Sequence, residues 1–326
     1  MRSAKIFLLA VILGLAGCAA GGDKKDSRPD WVDGVSEKYP RNAYLTGVGL
    51  ADSLANSRDR ARADLAKTFR VAIDERSSDV RSYSTGGADS TYSNEIEREL
   101  TTRTEQVLEG VEIADTWTDA TGRIYALAVL NRARAAMRLR TDINGLDRGA
   151  TSMMQRARQA NDPFLKAKLG LDIIDNQRKR AALQSMLQAV DATGRGVPPQ
   201  WSLAELEADL ATTLSRVELR AEGEDPWRDM LAGTLSDTGF TVVESGPYET
   251  RLSVNVVEMP KRGQWFWRRA VAVLDINRGE ESLGQHRWEF KESATDVGTV
   301  DFRLREAIAK KLDDEVRAAV LDTVRN

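Results

Sequence analysis

Between residues 132 and 192 the apolar pattern leaves the chain little choice but two long helices. Ala136, Leu139, Ile143, Leu146, Ala150, Met153, Ala157 and Ala160 recur at alternating steps of three and four, which is one continuous helix face. Asn161-Asp162-Pro163 then sets good N-cap side chains ahead of a proline, whose fixed φ suits a first helical position. One helix stops there and another starts. Phe164, Ala167, Leu171, Ile174, Ala181, Leu183, Met186, Leu187 and Val190 give the second helix its own apolar stripe. Each helix has about 28 residues, roughly 42 Å, and the tight turn makes them an antiparallel hairpin. That hairpin (residues 135–193) either projects as a stalk, with the 136–160 seam free for self-association, or folds back onto its neighbours.

The flanks read as two α+β domains. In the first (31–134), 43–49 is a short β-like run, and Leu54, Arg58, Ala61, Leu65, Phe69 and Ala72 mark an amphipathic helix over 53–76. Residues 77–93 are rich in Ser, Thr, Gly and Tyr and read as a long loop or a helix-frayed insertion. Ile96, Leu100 and Val107 mark a second helix. Strands 111–117 and 123–130 follow, joined by a turn with Asp119 and Gly122. Gly194-Arg195-Gly196-Val197-Pro198-Pro199 falls in the linker (194–200). Beyond it (201–326), Ser202 caps a short helix, and a β-α-β-β-β-α order predicts helices on one face of a largely antiparallel sheet.

Composition excludes several chemistries. The 326 residues include one His and one Cys, too few for a Cys/His metal site, a disulfide framework or a histidine-based triad. A formal net charge of −3 gives no basic field for nucleic acid. His286 sits between Gln285 and Arg287 with no nucleophile motif beside it. Glu280-Glu281 are neighbours on a turn and read as solvated, not as paired carboxylates. Gly47-x-Gly49 lacks the remaining features of a dinucleotide fingerprint, and Arg178-Lys179-Arg180 reads as a solvated helix face. No catalytic, cofactor or metal residue is assigned, and a non-enzymatic role is expected.

The N-terminus carries the address. Arg2 and Lys5 precede an uncharged apolar run from Ile6 to Gly17, roughly 18 Å as a helix and short of a hydrocarbon core of about 30 Å. It suits a signal-peptide h-region. Leu15-Ala16-Gly17-Cys18 ends it and resembles the lipobox of bacterial lipoproteins. The resemblance implies cleavage between Gly17 and Cys18 (signal peptide 1–17), diacylglycerol and N-acyl lipid on Cys18, and a lipidated tether over 18–30. Ala19, in place of Asp, resembles the pattern of lipoproteins sent to the outer membrane.

A second resemblance covers roughly residues 30–140. Trp31-Val32, YLTGVGLA (44–51), RDRARADLAKTF (58–69) and YALAVLNRARA (125–135) look like the twenty-kilodalton membrane-associated lipoprotein (LPP-twenty) family, itself similar to flagellar outer-membrane lipoproteins. It implies no catalytic residues and a role in envelope or flagellar assembly, at the periplasmic face of the outer membrane, with a protein partner. An activator of penicillin-binding proteins or a peptidoglycan hydrolase is the alternative reading.

One surface is expected to meet that partner. In Gln264-Trp265-Phe266-Trp267-Arg268-Arg269, strand alternation sets Trp265 and Trp267 against Phe266 and Arg268. The bulkier Trp pair is expected to pack beneath the terminal helix, with Trp288 on the next strand, leaving Phe266 and Arg268 outward as the partner contact.

Overall fold

The computed structural model describes residues 28–82, 98 and 101–322. Gly17, Cys18, Ile96 and Leu100 lie outside them, as does most of the Ser-rich 77–93 segment. None of the helices among the described residues is long and apolar enough to cross a membrane.

The first unit is a three-stranded antiparallel sheet in the order β1-β3-β2, made of β1 (Tyr44–Ala51), β2 (Glu112–Thr118) and β3 (Ile124–Asn131). The central β3 is covered on both faces, which is why it reads as a continuous apolar run. Ala126, Ala128 and Leu130 meet Ala61, Leu65 and Phe69 of α1 (Leu54–Ser82) and Val107 of α2 (101–108). On its other face, Leu127 and Val129 meet Trp31, whose indole N–H donates to Asp115 at 3.1 Å. Helix α1 runs to Ser82, six residues into the segment read as a long loop or a helix-frayed insertion. It also guards the free edge of β1: Asp64 accepts from the Val48 N–H at 3.0 Å, and Arg60 donates to the Leu50 carbonyl at 2.6 Å.

Helices α3 (Arg132–Gln159) and α4 (Pro163–Val190) form the expected hairpin. Asp162 caps α4 through the Phe164 N–H at 2.8 Å, and its second carboxylate oxygen accepts from the Tyr248 hydroxyl at 2.7 Å. Partial burial, then this Asp162 contact, pushes the Tyr248 hydroxyl up to about 12. At the other end of α4, Arg132 donates to the Ala189 and Val190 carbonyls, both at 3.1 Å, closing the helix C-terminus.

The hairpin does not project. Half of the 28 residues of α4 are buried, and they serve two cores. Phe164, Ala167, Leu171, Ile173 and Ile174 enter the C-terminal core, whereas Leu183, Met186, Leu187 and Val190 enter the N-terminal one. Ala136, Leu139 and Ile143 of α3 also belong to the N-terminal core, with Leu146 packed against it and Met153 against the C-terminal one, so these positions of the 136–160 seam are taken up within the chain. The solvated reading of 178–180 is corrected as well. Arg180 is 2% exposed and binds Asp147 at 2.6 Å and the Val197 and Pro198 carbonyls at 3.2 and 3.0 Å. The expected linker is thereby strapped onto α4.

The second unit begins with α5 (Leu203–Leu214), closed by a Ser202/Glu205 capping box. Its sheet runs β5-β4-β6-β7-β8, with β4 (Glu218–Gly223), β5 (Thr241–Val242), β6 (Tyr248–Arg262), β7 (Trp265–Arg278) and β8 (Glu281–Ala294). The β6-β7-β8 part is antiparallel as expected, but β4 pairs in parallel with both β5 and β6. Helix α6 (Trp227–Asp237) crosses between β4 and β5, and α7 (Val297–Leu321) packs along β7 and β8. Leu252, Ala272, Leu274 and Ile276 of the sheet close on Leu304, Ile308, Leu312 and Val316 of α7. The fold is α+β.

Candidate functional site

The second sheet presents one face to α6 and α7, and no helix among the described residues packs on the other. Its inner face is set by Ala270, Ala272, Leu274 and Ile276 on β7, all fully buried. By alternation Phe266 and Arg268 fall on that same side, and Trp265 and Trp267 on the open side. The expected orientation of this strand is therefore inverted. Arg268 is only 8% exposed, bound to Asp301 of α7 at 2.9 Å and to Glu258 of β6 at 3.3 Å, so it cannot be a free partner contact. Phe266 is half-buried with Lys261 over its ring at 4.3 Å. Trp265 is 42% exposed. Trp288 faces inward, donating to Glu315 at 2.8 Å, and does not join the Trp pair. Arg268→Ala should then lower stability by about 1.5–3 kcal/mol, the range for a hydrogen bond to a charged group, and a urea melt checks it.

The open face is a lattice of ion pairs. Arg220 meets Glu222 at 3.0 Å and also Glu249, which Arg251 reaches at 3.2 Å. On the other side Glu289 takes Arg269 at 2.7 Å and Arg287 at 3.3 Å. Hydrogen bonds from Arg269 and then Arg287 hold the Glu289 carboxyl below the usual range. Burial works the other way on Glu249, but Arg220 and Arg251 outweigh it and its pKa is lowered too. These carboxylates are fixed as anions, the opposite of what a general acid needs.

Strand β6 outruns its neighbour β4. Their register ends at Gly223 opposite Leu252, whereas β6 and β7 stay paired to Arg262 opposite Trp265. Beyond Leu252 one side of β6 has no strand neighbour among the described residues. A cleft of about 580 Å³ lies where β4 leaves the sheet, lined by Glu222, Glu224, Trp227, Val254, Asn255 and Arg287 among others. The far end of the edge is blunted by Pro260, Lys261, Arg262 and a register shift between Met259 and Arg262. The stretch from Ser253 to Val257 has no such protection, and Val256 and Val257 are exposed.

The remaining candidates fall elsewhere. His286 is on the inner face, its ring 6.2 Å from that of Trp288, and does not line the cleft. Glu281 is tied to Arg278 at 2.7 Å across the β7–β8 turn, and Glu280 beside it is exposed. No group of His, Cys, Asp and Glu among the described residues is arranged to hold a metal ion. The open β6 edge was not assigned from the sequence, because it depends on where β4, a distant segment, stops pairing.

The chain is similar over 83% of its length to the secreted protein HP1454 of Helicobacter pylori, at 16% identity, 97% coverage of that protein and a TM-score of 0.41. A minor lipoprotein from Acinetobacter baumannii matches 33% of this chain with 89% of its own, at 13% identity and a TM-score of 0.25. The rare lipoprotein B from Shewanella oneidensis matches 32% with 92% of its own, at 11% identity and a TM-score of 0.23. No curated protein sequence matches the chain. Residues 29–131, which hold β1, α1, α2, β2 and β3, match the model of the LPP20 lipoprotein family, so that unit of the chain is similar to LPP20 lipoproteins.

Proposed function

We propose that this chain is an envelope lipoprotein, held by lipid on Cys18 at the periplasmic face of the outer membrane, and that it serves there as a non-enzymatic scaffold or assembly factor. The observation that carries the reading is the unprotected β6 edge beside the cleft. Its main-chain groups offer a template to an extended segment of a protein partner, which would add as a strand where β4 ends. Val254 and Asn255, shared by edge and cleft, would supply side-chain selectivity. The LPP20 match supports the lipoprotein part, and Ala19 after Cys18 supports the outer membrane.

Two experiments test it. Cys18→Ser should abolish incorporation of labelled palmitate, because a hydroxyl takes no thioether-linked lipid; equal labelling of both proteins refutes the anchor. A photo-crosslinking residue at Asn255 should trap one envelope protein, and the same residue at Glu280, on the distant β7–β8 turn, should not. Equal trapping at both positions overturns the edge as the contact. Release of fragments from peptidoglycan by the purified chain alone would replace the scaffold reading with the hydrolase one.

A further inference from the structure

The free end of the β6–β7 hairpin carries a second surface, which adjoins the β6 edge and shares Val256 and Val257 with it. Of the ten strongly exposed large apolar side chains among the described residues, five are at this end: Val256, Val257, Trp265, Val297 and Phe302, the last 63% exposed. The pairing of Phe266 with Ala294 brings the start of α7 to the hairpin end, and the Arg268–Asp301 contact fixes Phe302 beside it. Cations are interleaved with these side chains. Lys291 lies 4.9 Å and Arg262 5.9 Å from the centre of the Trp267 ring, and Lys261 4.3 Å from that of Phe266. None of the three has a carboxylate partner among the described residues, while Glu258 and Asp301 are engaged by Arg268 and Glu289 by Arg269 and Arg287. The Trp267 indole N–H, covered over, has no acceptor.

We infer that this end of the C-terminal unit docks on an anionic lipid surface. Trp265, Val257 and Phe302 enter the headgroup region, and Lys261, Arg262 and Lys291 meet the lipid phosphates. A free phosphate would answer only the cations and leave the exposed apolar set in water. A bilayer interface takes both, since aromatic rings and long cationic side chains each have an apolar body and a polar end. Each basic residue near an anionic surface adds a similar electrostatic increment, so the three together are worth about a 100-fold change in partitioning. The surface acts independently of any lipid on Cys18.

The test uses residues 28–326, which retain every described element and both cores, in co-sedimentation with phosphatidylcholine vesicles with and without about 30% phosphatidylglycerol. Binding should require phosphatidylglycerol and fall steeply between about 0.05 and 0.5 M salt. Lys261→Gln/Arg262→Gln/Lys291→Gln should lower it about 100-fold at unchanged far-UV circular dichroism. Trp265→Ser should weaken binding but keep its salt dependence. Equal binding to both vesicle types, binding indifferent to salt, no binding, or a triple variant that binds as the parent does would each overturn the proposal. The salt titration decides it without any variant, should the triple variant misfold.

Discussion

Asp147→Ala is expected to cost about 3–5 kcal/mol of stability, because it strands a buried guanidinium. Arg180 is 2% exposed, with its Nε 2.6 Å from one Asp147 oxygen and an Nη group 3.4 Å from the other. Without Asp147 the cation keeps only the Val197 and Pro198 carbonyls, neither of which carries a neutralising charge. Arg180→Met should cost less than Asp147→Ala. The Asp147 side chain is 19% exposed and can turn to water, while methionine refills much of the volume. The double variant Asp147→Ala/Arg180→Met should be close to Arg180→Met alone, so the coupling energy should match the Asp147→Ala loss, about 3–5 kcal/mol, at or above the top of the range usual for partners in one network. Urea unfolding of the four proteins measures it. An Asp147→Ala loss below about 0.5 kcal/mol would mean that water reaches Arg180. Because Arg180 also holds residues 197 and 198, proteolysis between the two units should quicken in both Arg180 variants.

The contrast between what the sequence shows and what it hides follows the range of the interaction. The helix break at Asn161-Asp162-Pro163 is legible because a cap and a proline act within one turn, and α3 and α4 stop and start within two residues of it. The capping box at Ser202 and the turn at Asp119, where Thr121 and Arg123 pull the carboxyl down to about 2, are local in the same way. Burial of Arg180 is not legible, since its partner lies 33 residues away on another helix and a run of basic residues looks the same whether or not it is solvated. The whereabouts of the seam is hidden for the same reason: a heptad stripe fixes that a face is buried, not against what.

The inverted β7 strand is a different kind of miss, and the signal for it is present. Arg269, Asp275 and Asn277 share the phase of Trp265 and Trp267, whereas Ala270, Ala272, Leu274 and Ile276 share that of Phe266 and Arg268. Val271 and Val273 share the Trp phase too, but only that phase carries Asp275 and Asn277 while the other is apolar from Ala270 to Ile276, so the alternation puts the Trp pair outside. Side-chain bulk at one end of a strand outweighs neither the pattern over the remaining residues nor the carboxylate that α7 supplies at Asp301.

Gly49→Ala should be the most damaging single-methyl change in the N-terminal unit. A Cβ built on Gly49 would sit 2.1 Å from the Ser57 carbonyl oxygen and 2.3 Å from the Ala61 nitrogen; on Gly47 it would meet the Leu65 nitrogen at 2.4 Å and the Ala61 oxygen at 2.5 Å. These atoms are helix backbone, so no rotamer change relieves the contact and α1 must move away from β1 as a body. That shift would open the packing of Ala61, Leu65 and Phe69 on β3, all buried at 1% exposure or less. Overpacking usually costs about 1–3 kcal/mol where side chains can yield, and the absence of yielding atoms puts Gly49→Ala at or above the top of that range. The glycine pair thus acts as a seat for a helix, not as part of a nucleotide loop. Gly145 is the control of opposite sign. It lies inside α3 with nothing within 4 Å of an added Cβ, so Gly145→Ala should stabilise by about 0.5–1 kcal/mol through helix propensity alone. Amide hydrogen exchange in α1 separates the mechanisms: Gly49→Ala should deprotect Ser57 to Phe69, and Gly145→Ala should leave them unchanged. If Gly49→Ala melts with the parent, α1 does not rest on β1 at this distance, and the helix-on-glycine contact in this domain is wrong.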